Sequence, residues 1–147
     1  MKDRRNYMRG LGLYALVLGV IYVSLGLMEF ILGFFDMFLG GTPLSCLWIP
    51  VDLFGGFSAF VIGLTYLAAV RLLKGEYESI SYVLVATMLS TVFGVLYVLI
   101  FLANGLSAYL SGEEWSWIVD LARPEIWLFI SSTPLAYSTW STARKPG

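Results

Sequence analysis

One carboxyl group, that of Glu29, lies well inside a long apolar stretch and is the residue with the clearest potential for chemistry. An ionisable side chain inside a membrane helix is costly to bury and is by default a candidate functional residue. Held there, Glu29 could bind a proton or a cation and couple it to a substrate. We therefore take it as the centre of the candidate site and ask which other residues could reach it.

Four polar residues are candidates to line a ligand- or ion-binding site with this carboxylate. One precedes Glu29 by seven residues, so that both lie on one face of a helix. Two others belong to a broken polar stripe in a second apolar stretch, and the last begins a hydroxyl-rich segment near the C-terminus. In chain order they are Tyr22, Tyr97, Asn104 and Ser131.

A structural role for Glu29 is the alternative. Eighteen residues separate it from Leu11, where the apolar stretch begins, which is about 27 Å of helix against a hydrocarbon core of about 30 Å. The carboxylate is then expected near the outer interface. At that depth it would contact lipid headgroups or pair with Arg123.

Several classes of chemistry lack their residues. The chain has no histidine and one cysteine, Cys46. Histidine-ligated haem, the usual zinc sites, iron–sulfur clusters and a Ser-His triad all need residues that are missing. We therefore predict no cofactor, no metal and no enzymatic activity. The net charge of −1 gives no reason to expect a nucleic-acid partner.

The composition is that of an integral membrane protein. The hydrophobic set makes up 59% of the 147 residues and charged residues only 13%, whereas soluble domains are about a quarter charged. We predict an all-α bundle of four transmembrane helices in one domain, 1–147. The spans are about 11–35, 53–70, 80–103 and 126–143, with outer loops at 36–52 and 104–125.

The fourth span is the most polar, because serines and threonines recur along it. A polar span facing only lipid would be poorly stable, so this helix is expected to be the one most enclosed by protein. Asp52 and Glu125 stand at the starts of the second and fourth spans. There we expect them to cap the free amides of the helix ends. The alternative is that they converge with Glu29, Asp36 and Asp120 on an outer acidic cavity that could bind a hard cation such as calcium.

Lysine and arginine residues predict the orientation. Of the nine, all but Arg123 fall on one side of a four-span bundle. By the positive-inside rule, both termini are then cytoplasmic and the protein lies in the cell membrane.

Small residues follow two regular stripes. In the first span they recur every seven residues, a period that keeps one face turned to a neighbouring helix. A small-xxx-small stripe in the second span also favours close packing, either within the chain or between chains. The two stripes are Gly12, Gly19, Gly26 and Gly33, and Gly55, Ala59 and Gly63.

A short match suggests a direct repeat of two helical hairpins. The segments 19–23 and 94–98 read Gly-Val-Ile-Tyr-Val and Gly-Val-Leu-Tyr-Val, an offset of 75 residues. The alternative is chance, since such residues are common in membrane helices.

Two functions follow from these features. The first is an accessory or structural subunit of a membrane complex or homo-oligomer, held in the bilayer and packed through the small-residue stripes. The alternative is a small oligomeric transporter or channel in which Glu29 couples an ion or substrate. A third, weaker option is lipid binding in an aromatic outer pocket. Where Glu29 points decides between the first two.

Overall fold

Every regular element in the described part of the chain is a helix. The computed structural model describes residues 2–39 and 52–143. Two short 3₁₀ segments, Ala69–Lys74 and Tyr77–Ser79, connect the second helix to the third. The α-helices are α1 (Lys2–Leu39), α2 (Leu53–Ala68), α3 (Ile80–Ser111), α4 (Trp117–Leu121) and α5 (Pro124–Ala143).

Three described segments are long and apolar enough to cross a membrane: Asn6–Phe38, Leu53–Lys74 and Tyr77–Ser111. They contain the first three predicted spans, and the prediction of an all-helical membrane protein is confirmed. The helix α5 lies where the fourth span was predicted but is not among the three, because its hydroxyl residues lower its hydropathy. Its crossing of the membrane stays a prediction.

Three of the helices, α1, α3 and α5, are longer than the predicted spans, whereas α2 ends at Ala68 and continues as a 3₁₀ segment. The helix α3 continues eight residues beyond position 103, to Ser111, so the segment predicted as outer loop begins as helix. It ends at Gly112, whose φ of 69° is readily adopted only by glycine. The same loop contains the short helix α4. In the first outer loop, α1 continues to Leu39, and Cys46 lies outside the described residues.

The helices pack as two pairs. The main partner of α1 is α2, and the main partner of α3 is α5. The two pairs bury one core between them, made of leucine, alanine and tyrosine side chains from all four long helices. Each of the two predicted hairpins corresponds to one of these pairs, α1 with α2 and α3 with α5. The direct repeat itself remains a prediction.

Glycines bring the backbones of α1 and α2 into direct contact. A Cβ atom at Gly26 would lie 2.7 Å from the carbonyl oxygen of Gly56, and one at Gly63 would lie 2.6 Å from the amide nitrogen of Val23. A Cβ at Gly19 would also touch α2. The small-residue seam of α1 therefore faces α2 of the same chain, where only glycine allows this separation.

The glycines at the two ends of the seam also lie close to neighbouring elements of the chain. A Cβ at Gly12 would lie 3.1 Å from Leu72, and one at Gly33 would lie 2.9 Å from the amide nitrogen of Leu53. Ala59, in the stripe of α2, is buried in the core beside this contact.

Replacing Gly26 by alanine tests this packing. We expect Gly26→Ala to destabilise the protein by about 1–3 kcal/mol, because the added methyl group forces two backbones apart. Gly10→Ala is the matched control on the same helix, since nothing lies within 4 Å of its Cβ position. There the gain in helix propensity should leave stability unchanged or raise it by up to about 1 kcal/mol. Unfolding in mixed detergent micelles measures both, and equal effects would contradict the proposed contact.

Candidate functional site

Two carboxyl groups are buried together inside the bundle, on α1 and α5. Glu29 is 1% exposed and Glu125 is 6% exposed. Both oxygens of Glu29 and Oε2 of Glu125 lack a hydrogen-bond partner of normal geometry among the described residues. The two carboxyl groups are nevertheless close enough to interact with each other. We call Glu29 and Glu125 the acidic pair.

Close helix packing places the acidic pair. Glu29 follows Gly26 by one turn, and its backbone lies against Gly56 of α2. Glu125 is the second residue of α5, directly after Pro124, a residue suited to the first position of a helix. At Gly55, a side chain would collide with the carboxyl group of Glu125, so this glycine makes room for the pair.

Above the pair, Asp52 connects three elements. Its Oδ1 caps α2 by accepting from the amides of Phe54 and Gly55, at 3.1 and 2.9 Å. Its Oδ2 accepts from the Tyr97 hydroxyl at 2.7 Å and lies 3.4 Å from Nη1 of Arg123. The Arg123 guanidinium also stacks over the Tyr97 ring, 5.6 Å from its centroid. Asp52 is therefore a helix cap, as predicted, and also the main partner of Arg123.

A second layer lies further from the core, around Asp120. Its Oδ2 accepts from Nδ2 of Asn104 and Nε1 of Trp115, both at 3.0 Å, and Oδ1 lies 3.9 Å from Nε of Arg123. The Trp115 ring covers Gly105 of α3. The hydrogen bond from Trp115 holds the pKa of Asp120 below its usual value of 3.8. The hydrogen bond from Asn104 and the positive charge of Arg123 lower it in the same direction.

No base neutralises the acidic pair in the described structure. The one arginine near it, Arg123, makes its ion pairs with Asp52 and Asp120 instead. Two unit charges 4 Å apart repel by about 4 kcal/mol even at an effective dielectric of about 20, and unpaired buried charges also lose their hydration. Glu29 and Glu125 must therefore hold at least one proton or a cation between them.

A group of buried hydroxyls lies further along the bundle. The Tyr22 hydroxyl bonds to Oγ of Ser90, which lies 2.9 Å from Oγ of Ser132. The Tyr66 hydroxyl is fully buried and has no hydrogen-bond partner among the residues that the structure describes. Its ring lies 5.7 Å from that of Tyr22. We call these four residues the hydroxyl cluster. It joins α1, α2, α3 and α5 across the core.

A small cavity of about 10 Å³ lies between the acidic pair and the hydroxyl cluster. A volume of this size holds about one water molecule. Its polar lining residues are Glu125, Tyr22, Ser58 and Ser90.

The structure brings four of the five predicted site residues into neighbouring layers of the bundle and leaves out the fifth. Glu29 is central but buried in protein, and it does not pair with Arg123. Tyr97 and Asn104 belong to the two layers above the pair, and Tyr22 belongs to the hydroxyl cluster below it. Ser131 does not join them. It faces outward, its Oγ donates to the Trp127 carbonyl, and its own carbonyl accepts from Tyr14.

The sequence prediction missed the buried face of α5. Glu125 is predicted chiefly as a helix cap, with its convergence on Glu29 only as the alternative, and Ser131 is predicted to line the site in place of its neighbour Ser132. A signal was available, because the buried residues of α5 follow a seven-residue pattern typical of an inward face. The residues of this pattern are Glu125, Leu128, Ser132, Leu135 and Thr139, and Ile126 is buried outside it.

The fold and the site define an integral membrane protein with a buried acidic pair between its helices. The chain belongs to the MJ0565 integral membrane domain family, which matches residues 6–142. It is 25% identical over 117 residues to the uncharacterized protein MJ0565 of Methanocaldococcus jannaschii, an alignment that covers 79% of this chain and 76% of that protein. No solved structure matches the chain.

Carbodiimide labelling tests whether the acidic pair is protonated. Dicyclohexylcarbodiimide partitions into apolar regions and reacts with protonated carboxyl groups. At neutral pH we expect it to modify Glu29 or Glu125 in the folded protein, because two buried carboxyl groups without a base retain a proton. Peptide mass spectrometry locates the adduct, and exposed Glu113 and Glu114 are internal controls. An adduct confined to those controls would contradict the assignment.

Asp120 should make stability sensitive to acid. Since its pKa is lowered in the folded state, its contribution is present above the ordinary value of 3.8 and is lost as pH falls through the lower folded pKa. Thermal unfolding in detergent, followed from about pH 6 to about pH 3, should therefore show a smaller fall in midpoint for Asp120→Asn than for the wild type. Parallel curves would show that the carboxylate contributes nothing.

Proposed function

We propose that this protein is a small membrane transporter or channel for protons, in which the acidic pair takes up the ion. The observation that carries the proposal is the complete burial of Glu29, with both oxygens unpartnered, beside a second buried carboxyl group. Ionisable groups inside membrane bundles are rare and typically lie on ion pathways or proton relays. The role proposed for Glu29 is thus ion coupling, the alternative predicted from the sequence.

The donor set and the available volume favour a proton. The acidic pair presents three unpartnered oxygens, whereas an ion such as Ca²⁺ takes about 6–8 oxygen ligands. The cavity beside Glu125, at about 10 Å³, is too small for an organic substrate. A proton needs neither a complete coordination shell nor added volume.

The topology proposed for this function keeps four crossings and cytoplasmic termini. The 20 residues of α5 extend about 30 Å, the thickness of a hydrocarbon core. Its polar face is supported by burial of Ser132 and Thr139 against the other helices. With this orientation in the cell membrane, the acidic pair lies in the outer half of the bundle and the basic N-terminal segment lies inside.

An accessory subunit of a membrane complex is the second candidate. The absence of a substrate-sized cavity beside the acidic pair, within the described residues, favours it over transport of an organic molecule. The glycine seam supports it less than the sequence suggested, because that seam faces α2 of the same chain. Purification in mild detergent tests this role. A large partner in fixed stoichiometry would favour it, and a single component would count against it.

Proton flux into liposomes tests the proposed function. The purified protein is reconstituted with an internal pH-sensitive dye, and a potassium gradient with valinomycin drives proton entry. We expect flux above that of protein-free liposomes, and its loss in Glu29→Gln, which keeps the shape of the side chain but cannot exchange a proton. Glu113→Gln is the matched control, because that exposed residue lies between α3 and α4. Equal flux in the wild type and Glu29→Gln would contradict the proposal.

A further inference from the structure

We infer that the hydroxyl cluster is the route by which protons pass between the acidic pair and the N-terminal end of the bundle. This inference rests on the proposed function and assigns the path on one side of its site. Three observations carry it: the cavity beside Glu125, the hydrogen bonds between the hydroxyls, and a large crevice between α1 and α5.

The first step crosses the small cavity. Its polar lining residues are Glu125, Tyr22, Ser58 and Ser90. A buried water needs about 2–4 polar partners, which this lining supplies. Glu125 and two members of the cluster line the same cavity, and Oε2 of Glu125 has no partner among the described residues, so one water there would connect the acidic pair with the cluster.

The second step follows the hydroxyls themselves. Tyr22 bonds to Ser90, and Ser90 bonds to Ser132 at 2.9 Å, which connects α1 to α5 through α3. A hydroxyl group both donates and accepts, so a row of them passes a proton by exchanging bonds in sequence. The unpartnered Tyr66 hydroxyl lies beside this row and offers a further position for the proton.

The third step reaches a crevice of about 360 Å³ between the N-terminal part of α1 and the C-terminal part of α5. Tyr14, Pro134 and Leu135 are among the residues that line it. Leu135 follows Ser132 by three residues, about 4.5 Å along the helix axis. Its side chain is 2% exposed and separates the crevice from the cluster. The route therefore has an apolar residue, Leu135, between the last hydroxyl of the cluster and the crevice.

A purely structural hydroxyl cluster would give a different result on mutation. The Ser132 hydroxyl also donates to the backbone carbonyl of Phe129 at 2.8 Å. Such bonds stabilise a polar helix without moving protons. If that is their whole role, removing them should change stability and leave flux per folded molecule unchanged.

The double variant Ser90→Ala/Ser132→Ala tests the route in the same liposome assay. We expect proton flux to fall at least about tenfold, a conservative figure for losing a positioned proton-transfer group. Carbodiimide labelling of the acidic pair should persist, since that site is left intact. Ser131→Ala/Thr133→Ala is the matched control, because both hydroxyls are on the exposed face of α5. Wild-type flux in the relay variant would overturn the inference.

The outcomes separate the two proposals. Flux that depends on Glu29 but not on Ser90 and Ser132 would leave the proposed function standing and reject this route. Flux no greater than that of protein-free liposomes would reject both. If the double variant does not fold, as judged by its thermal unfolding, Tyr22→Phe replaces it, because that change removes only the hydroxyl at the cavity. Unchanged flux in Tyr22→Phe would again overturn the route.

Discussion

The contact between the backbones of α1 and α2 is the constraint on which the rest of the bundle depends. In a bilayer, lipid tails are as apolar as leucine, so helices associate mainly through van der Waals packing. The glycines at positions 19, 26, 56 and 63 allow that packing to reach backbone atoms. The same contact moves the face of α1 that carries Tyr22 and Glu29 into the interior, because those residues follow the seam by three positions on the helix.

Burial of Glu29 then determines much of the surrounding electrostatics. Arg123 precedes Pro124 at the start of α5, where its guanidinium reaches the cap of α2 and the Tyr97 ring. It thereby joins the beginnings of α2 and α5 to α3, but its charge is already shared with Asp52 and Asp120. The acidic pair lies beneath this layer with no base of its own. A proton is the simplest counter-charge that fits so little space.

The sequence predicted the helices better than it predicted the site. Seven-residue spacing and apolar length are local properties, so the seam of α1 and three membrane segments could be recognised directly. The depth of Glu29 also follows from helix length, because distance along a membrane-spanning helix measures depth across the bilayer. Whether a side chain points to lipid or to protein depends on the neighbouring helix, and the backbone contact of Gly26 with Gly56 determines that. The partnership with Glu125 joins residues 96 positions apart, which no local pattern reports.

The polarity of α5 is explained by what it faces. A helix that only filled space in the bundle would be more stable with apolar residues, since buried polar networks often contribute less than well-packed hydrophobic ones. Instead its inward face alternates Glu125, Ser132 and Thr139 with Leu128 and Leu135. The two leucines supply packing against the core, while the carboxyl group and the first hydroxyl face the cavity and the hydroxyl cluster. The residues that keep α5 below the hydropathy of the other spans are thus the residues that the proposed proton route uses.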